Sequence, residues 1–468
     1  MENQLRHLPS IKKIQDSQEY QLLSQKGIGE KYLTLLAQEA VDEVRQQLRN
    51  QTVTGSQNDI YNEVCQRFTK KASMLINSPI RKVINGTGVI LHTNLGRARM
   101  SEQAAKQVYS AATNYTNLEF NLETGERGSR HDHIEWLLTK LTGAEAAAVV
   151  NNNAAAVFLI LRAFAKNKEV IVSRGELVEI GGSFRVSSIM EESDAALVEV
   201  GTTNKTHIED FEQAITDETA MVLKVHRSNF NITGFTSSVS RESLAGIAEK
   251  HGIIFYEDLG SGAFFDFNQY GIGREPVVEN ILQEGPDLIS CSGDKLFGGP
   301  QAGIILGKKV LIDRLKKHQL MRTFRVDKMT LAALSAAIQS YFSGDHGVSE
   351  NPTLNRIMEK SLLVKRRALL LLQKLQRIHG FACRLVPLRS PIGGGTMPDI
   401  DLESYGIAIK HKKLASQTLA WQLRKGDPPI VGRIHEDDFL IDCRTVTDTE
   451  CEDIAAAIRK ISSAYDES

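Results

Sequence analysis

The chain has 468 residues, with 56 Lys and Arg against 57 Asp and Glu, a net charge of −1 and a hydrophobic fraction of 41%. That length exceeds what one core usually carries, so two or three domains are expected; the near-zero charge excludes a general basic field, leaving any nucleic-acid partner to local patches. Five cysteines, widely spaced and without a C-x-x-C pair, signal neither a disulfide framework nor a zinc site, and the absence of a signal-peptide core or a membrane-length apolar run predicts a soluble cytoplasmic protein.

Residues 1–79 are polar and helical in pattern, with Leu35, Leu36, Ala37, Ala40, Val41, Val44 and Leu48 near a 3.6-residue period, punctuated by Gly27-Ile28-Gly29 and Gly55-Ser56. The first 50 residues hold seven Lys or Arg against seven Asp or Glu, which gives no electrostatic footprint for nucleic acid. Ser78-Pro79-Ile80 marks a boundary. The glycines of Ile84-Asn85-Gly86-Thr87-Gly88 do not form G-x-G-x-x-G, so a dinucleotide loop is not supported. Strand-like runs follow at 146–150, 170–173, 196–200, 220–225, 253–256, 287–290 and 302–306. With mostly helical crossovers between them, seven such runs predict an α/β fold with a doubly wound, largely parallel sheet, and ligands at the strands' carboxyl ends. Beyond about Val326 come a helix over 328–342, a charged helix over 358–376 and a β-rich end. The expected domains are 1–79, 80–325 and a small α+β domain over 326–468. Two basic clusters, Lys360 with Lys365-Arg366-Arg367 and Lys410-His411-Lys412-Lys413, are by default solvated faces.

Three pieces carry chemistry. Ser290-Cys291-Ser292-Gly293-Asp294-Lys295 places a lysine on a small-residue turn between apolar runs. A pyridoxal-phosphate (PLP) enzyme needs such an uncrowded amine for its Schiff base, with hydroxyls nearby for the phosphate, which Ser290 and Ser292 could supply. Upstream, a buried strand ends in Glu257-Asp258, and Asp258 is the candidate partner for a protonated pyridine nitrogen. Asn151-Asn152-Asn153 lies between a strand and the strong helix former at 154–164, a strand–turn–helix anion site. Arg322 and Arg325, three apart and on one face if helical, would suit an oxyanion, and with Arg97 and the 125–130 stretch they suggest an arginine-furnished entrance. Cys291 reads as small buried filler, and His131-Asp132-His133 lacks the spacing of a metal site.

Phosphate loop, pyridine acid and lysine stand in the chain order of fold-type I PLP enzymes. Asn85-Gly86-Thr87-Gly88, Thr93-Asn94-Leu95-Gly96-Arg97, Glu123 through Arg130, Asn151-Asn152-Asn153, Glu257-Asp258-Leu259-Gly260, Ser292-Gly293-Asp294-Lys295 and Arg322 through Lys328 together resemble the bacterial selenocysteine synthase family, the L-seryl-tRNA(Sec) selenium transferases. The resemblance covers essentially the whole chain, including an N-terminal extension that short relatives acting on small amino acids or sugar acids lack. It implies that Lys295 carries PLP, that Asp294 assists beside it, and that Arg97, Arg322 and Arg325 hold selenophosphate. It also implies a tRNA-binding N-terminal domain, a homodecamer built as a ring of dimers, and β-elimination from seryl-tRNA(Sec) to aminoacrylyl-tRNA before selenium adds. Two alternatives stay open. A lyase or desulfurase acting on a free amino acid would need a carboxylate-binding arginine, for which Arg433 or Arg444 could serve, and a tRNA-binding scaffold would need no chemistry at all.

Overall fold

Four amphipathic helices, Ile11–Gln15, Gln18–Gln25, Glu30–Arg49 and Gln57–Ile76, make up the first of two units, which ends at Lys82. The computed structural model describes residues 5–180 and 184–466. Ser10, Ser17 and Ser56 cap three of these helices by accepting backbone N–H groups, which satisfies donors that the helix itself leaves free. Leu33, Ala37, Val41, Val44 and Leu48 on the third helix share one core with Ile60, Val64 and Phe68 on the fourth. Leu35, one of the apolar positions in the sequence pattern, faces outward instead, because a 3.6-residue turn cannot bring both it and Leu33 to the same seam.

The second unit runs from Val83 onward. Its main sheet has seven strands: β1 (Ala146–Val150), β2 (Glu169–Ser173), β3 (Ala196–Val200), β4 (Thr219–Val225), β5 (Ile254–Gly260), β6 (Leu288–Ser292) and β7 (Gly303–Gly307). Their order is β1-β7-β6-β5-β4-β2-β3. All pairings are parallel except those of β7, which runs antiparallel to both β1 and β6. Both faces are buried, which explains the near-continuous apolar runs. One face packs with the helix Asn153–Phe164, through Val157, Leu159, Ile160 and Leu161. The other packs with Asp132–Thr142 and with Lys328–Tyr341, whose Leu331, Leu334 and Ile338 join the core of the large sheet although the sequence reading set that helix in the small domain.

A second sheet is formed by β8 (Phe381–Gly393), β9 (Thr396–His411), β10 (Arg433–His435) and β11 (Asp438–Asp442), in the antiparallel order β8-β9-β11-β10. Helices Ser361–Leu375, Ser416–Lys425 and Glu450–Asp466 cover one of its faces. The opening segment of this unit is stitched to that region: Ile84 and Asn85 pair in parallel with Ile430 and Val431, and Leu91 bridges Gly393. Gly88, at φ +82°, lies so close to the Asp442 carboxylate that any side chain would collide with it. The glycines of the 84–88 motif therefore serve a close backbone approach.

Candidate active site

The carboxyl ends of β5 and β6 hold the central pair. Lys295 sits in the turn after β6 and is 5% exposed; Asp258, on β5, is 3% exposed. The turn is fixed by backbone bonds from Gly298 N–H to the Lys295 carbonyl (2.9 Å) and from Gly293 N–H to Ala302 (2.8 Å). Asp258 Oδ1 accepts from the Asn153 side-chain amide at 2.7 Å and from Gly260 N–H at 3.1 Å. Desolvation dominates both groups. Burial pushes the Asp258 carboxyl up despite Asn153 and Lys295, and pushes the Lys295 amine down, with Arg97 adding to the effect. Each is thus biased toward its neutral form, as groups taken from water without full charge pairing are.

This arrangement fits PLP. A protonated pyridine nitrogen is the cation that a buried, desolvated Asp258 lacks, and a neutral amine is the form of Lys295 that condenses with an aldehyde. Two buried polar atoms at this site, Asn153 Oδ1 and Ser228 Oγ, have no hydrogen-bond partner among the described residues. A Cβ on Gly260 would come 3.4 Å from Ser228 Oγ and 3.9 Å from Lys295 Nζ, so both side chains flank that glycine.

The three asparagines divide their roles. Asn152 caps the helix Asn153–Phe164, accepting from Ala155 N–H at 2.9 Å; Asn153 turns to Asp258; Asn151 is exposed and gives its N–H to the Phe324 carbonyl at 3.0 Å. Ser292 is 8% exposed at the end of β6, on the side of the sheet that also carries Ser290. The Ser290 hydroxyl lies within the core, 2.6 Å from the Tyr256 hydroxyl, so it is not placed for a phosphate and that part of the expectation fails. Cys291 is fully buried, with its thiol pushed far up by desolvation.

Among the arginines, Arg97 donates to Asp294 Oδ2 at 2.9 Å and so stands beside the lysine turn. Arg322 lies on the short helix Gln319–Thr323, but the helix is capped at Phe324 and Arg325 lies beyond it, its backbone bridging Val150. The expectation of one helical face for the two therefore does not hold. Phe324 packs edge-on against Phe158, which anchors the chain where it leaves the helix. Arg325 is 3.8 Å from Glu119, which also accepts from Arg127 and Arg130. Those guanidiniums hold the Glu119 carboxyl below its usual range, Arg130 first. Among the described residues Arg322 has no ion-pair partner.

Several residues at this site escaped the sequence reading. Gly395, at φ +76° in the β8–β9 hairpin tip, packs against Lys295: a Cβ there would come 2.8 Å from Nζ. Just past β4, His226 gives its backbone N–H to the Asp258 carbonyl (2.9 Å), and its Nε2 lies 3.1 Å from Glu275 Oε1. Glu275 also accepts from the Ser261 hydroxyl. The signal for His226 and Ser228 was available, since both directly follow a strand at the sheet's carboxyl edge.

Comparison with known proteins agrees with this geometry. The family model described as L-seryl-tRNA selenium transferase matches residues 83–447. The L-seryl-tRNA(Sec) selenium transferase of Maridesulfovibrio salexigens is 43% identical, covering 98% of this chain and 100% of that protein. The protein of the same name from Aquifex aeolicus is 42% identical over 99% of this chain and 100% of its own length. Among solved structures, D-glucosaminate-6-phosphate ammonia-lyase superposes with a TM-score of 0.57 at 20% identity, over 82% of this chain and 96% of that one, which bears on the fold alone.

Proposed function

Since the chain belongs to the L-seryl-tRNA selenium transferase family, whose activity is the PLP-dependent conversion of L-seryl-tRNA(Sec) to L-selenocysteinyl-tRNA(Sec), we propose that Lys295 is the cofactor lysine, Asp258 the pyridine partner, and selenophosphate the donor. The observation that carries this reading is the buried Lys295 beside an Asp258 whose carboxylate is held by Asn153. When bound, PLP supplies an aldehyde and an electron-accepting ring. The protein's own groups do the rest. The helix start capped by Asn152, with Ser292, receives the cofactor phosphate through free N–H groups and a hydroxyl. The Lys295 amine, its basicity lowered by burial and by Arg97, takes the Cα proton of the seryl ester. Asp294 orients Arg97, and Arg97, Arg322 and Arg325 receive the donor's oxyanion, for which planar guanidinium forks are suited.

The free-amino-acid alternative loses its anchors here. Arg433 pairs with Asp442 at 3.1 Å, and Arg444, 2% exposed, donates to the Arg356 and Glu359 carbonyls at 2.9 and 3.1 Å. Neither guanidinium is placed to receive a substrate carboxylate, which an esterified serine does not have. A homodecamer built as a ring of dimers is supported by the exposure of Tyr109, Tyr115, Leu122 and Trp136 on one stretch of chain, large apolar side chains that a partner subunit could cover. No helix among the described residues is long and apolar enough to cross a membrane, and a tRNA substrate puts the reaction in the cytoplasm. The first unit, up to Lys82, is the tRNA-reading part, because the aminoacyl tip alone cannot identify the tRNA. Turnover of seryl-tRNA(Sec) with selenophosphate, against free serine and cysteine, tests the whole reading. Equal use of free serine would overturn it.

A further inference from the structure

Expelling the serine oxygen requires a proton, and Asp294, the acidic neighbour of Lys295, is bonded to Arg97 as an acceptor. We propose that His226, held by Glu275, is the acid that protonates the departing hydroxyl, an inference that rests on the function proposed above. Four observations carry it. His226 follows β4 at the sheet's carboxyl edge and is bonded through its backbone to Asp258 on the neighbouring strand. Its Nε2 is 3.1 Å from Glu275 Oε1, and Glu275, with a side chain only 5% exposed, accepts on that same oxygen from the Ser261 hydroxyl. The His226 side chain keeps 22% of its surface open, so the ring is not sealed into the core. Glu275 is also close enough to act electrostatically on Lys295, and His226 on Asp258.

With Nε2–H facing the carboxylate, Nδ1 is the nitrogen that gives and takes a proton, the usual division within a carboxylate–imidazole pair. In the elimination the Cα proton passes to the Lys295 amine and the Cβ–O electron pair leaves with oxygen. That oxygen takes the Nδ1 proton and departs as water. The step ends with Lys295 as an ammonium and His226 neutral, and proton return from one to the other restores both. Glu275 acts as a positioning residue.

The test separates protonation of the leaving group from everything else. Wild type and His226→Gln are compared on seryl-tRNA(Sec) and on β-chloroalanyl-tRNA(Sec), from which chloride departs without a proton, with cofactor affinity and absorbance read in parallel. General acid catalysis contributes about 10²–10⁴-fold, so seryl turnover should fall by about 100-fold or more while chloroalanyl turnover stays within a few-fold and the cofactor signal is unchanged. Equal losses on both substrates, or no loss on seryl-tRNA, would overturn the proposal. Should His226→Gln not fold, Glu275→Gln is read on the same pair of substrates, with a smaller loss confined to seryl-tRNA expected. Wild type failing on both substrates would bring down the proposed function itself, a different outcome from a variant that fails on both.

Discussion

Asp442 and Asp258, two of the buried carboxylates of the second unit, differ in how completely they are answered. Asp442, fully buried on β11, has both oxygens taken: Ser390 and Arg433 on Oδ2, and Ser404 with the Arg444 backbone N–H on Oδ1. Around Asp258 the protein supplies only neutral donors to Oδ1, leaves Asn153 Oδ1 and Ser228 Oγ without partners, and drives the acid and the nearby lysine toward their neutral forms. A saturated network rigidifies a domain, whereas an unsaturated one leaves polar atoms able to bond a ligand. Around Asp442 two guanidinium Nε atoms, on Arg433 and Arg444, also go without partners, so the contrast lies in the carboxylates rather than in every polar atom.

That contrast can be broken most sharply at Lys295. Lys295→Ala should abolish turnover and borohydride-stable cofactor labelling while the thermal transition stays within a few degrees, because an amine that makes no ion pair among the described residues contributes little to folding. At Asp442 the reverse is expected: Asp442→Ala should lower unfolding free energy, read by urea titration, by about 1–3 kcal/mol for each buried donor it strands, the Ser390 and Ser404 hydroxyls and the Arg444 backbone N–H. The surviving fraction should still bind cofactor. Removing an arginine of the donor site, Arg322→Ala or Arg325→Ala, should raise the donor KM about 10- to 100-fold, from loss of a charged hydrogen bond of about 1.5–3 kcal/mol, with cofactor absorbance unchanged. Arg→Lys should rescue poorly. A smaller effect concerns acidity. Because burial and Arg97 lower the Lys295 amine, cofactor-free protein should react with trinitrobenzenesulfonate at Lys295 at lower pH than at surface lysines. Arg97→Ala should move that reactivity to higher pH, since it removes a repelling positive charge, whereas Asp258→Asn should move it lower still. Smallest is Asn152→Ala, expected to cost about 1 kcal/mol as a lost helix cap.

Much of this molecule is legible in the sequence because it is local. The seven strand runs, the lysine turn and the capped helix after Asn152 each follow from periodicity and small-residue punctuation within a dozen residues. What stayed hidden depends on partners far along the chain. Arg97 meets Asp294 across 197 residues, and Asn153 meets Asp258 across 105. No pattern near Arg325 shows that the helix stops at Phe324, because the bond that draws the chain aside comes from Asn151. Gly395 looks like any hairpin glycine until the small sheet brings it to the lysine.

The pairing of Ile84 and Asn85 with Ile430 and Val431 bears on how the protein is made. Gly88 N–H must wait for the Thr445 hydroxyl, 357 residues later. At roughly 5–20 residues per second of synthesis, that gap is about 20 to 70 s. For most of that interval residues 84–91 lack their partners at Gly393, Ile430 and Val431, while the strands around Asp258 have already emerged from the ribosome. Docking of residues 84–88 on the final sheet is therefore among the last events of folding, and a chain cut short there would lose that pairing while keeping the Arg97–Asp294 contact beside the lysine.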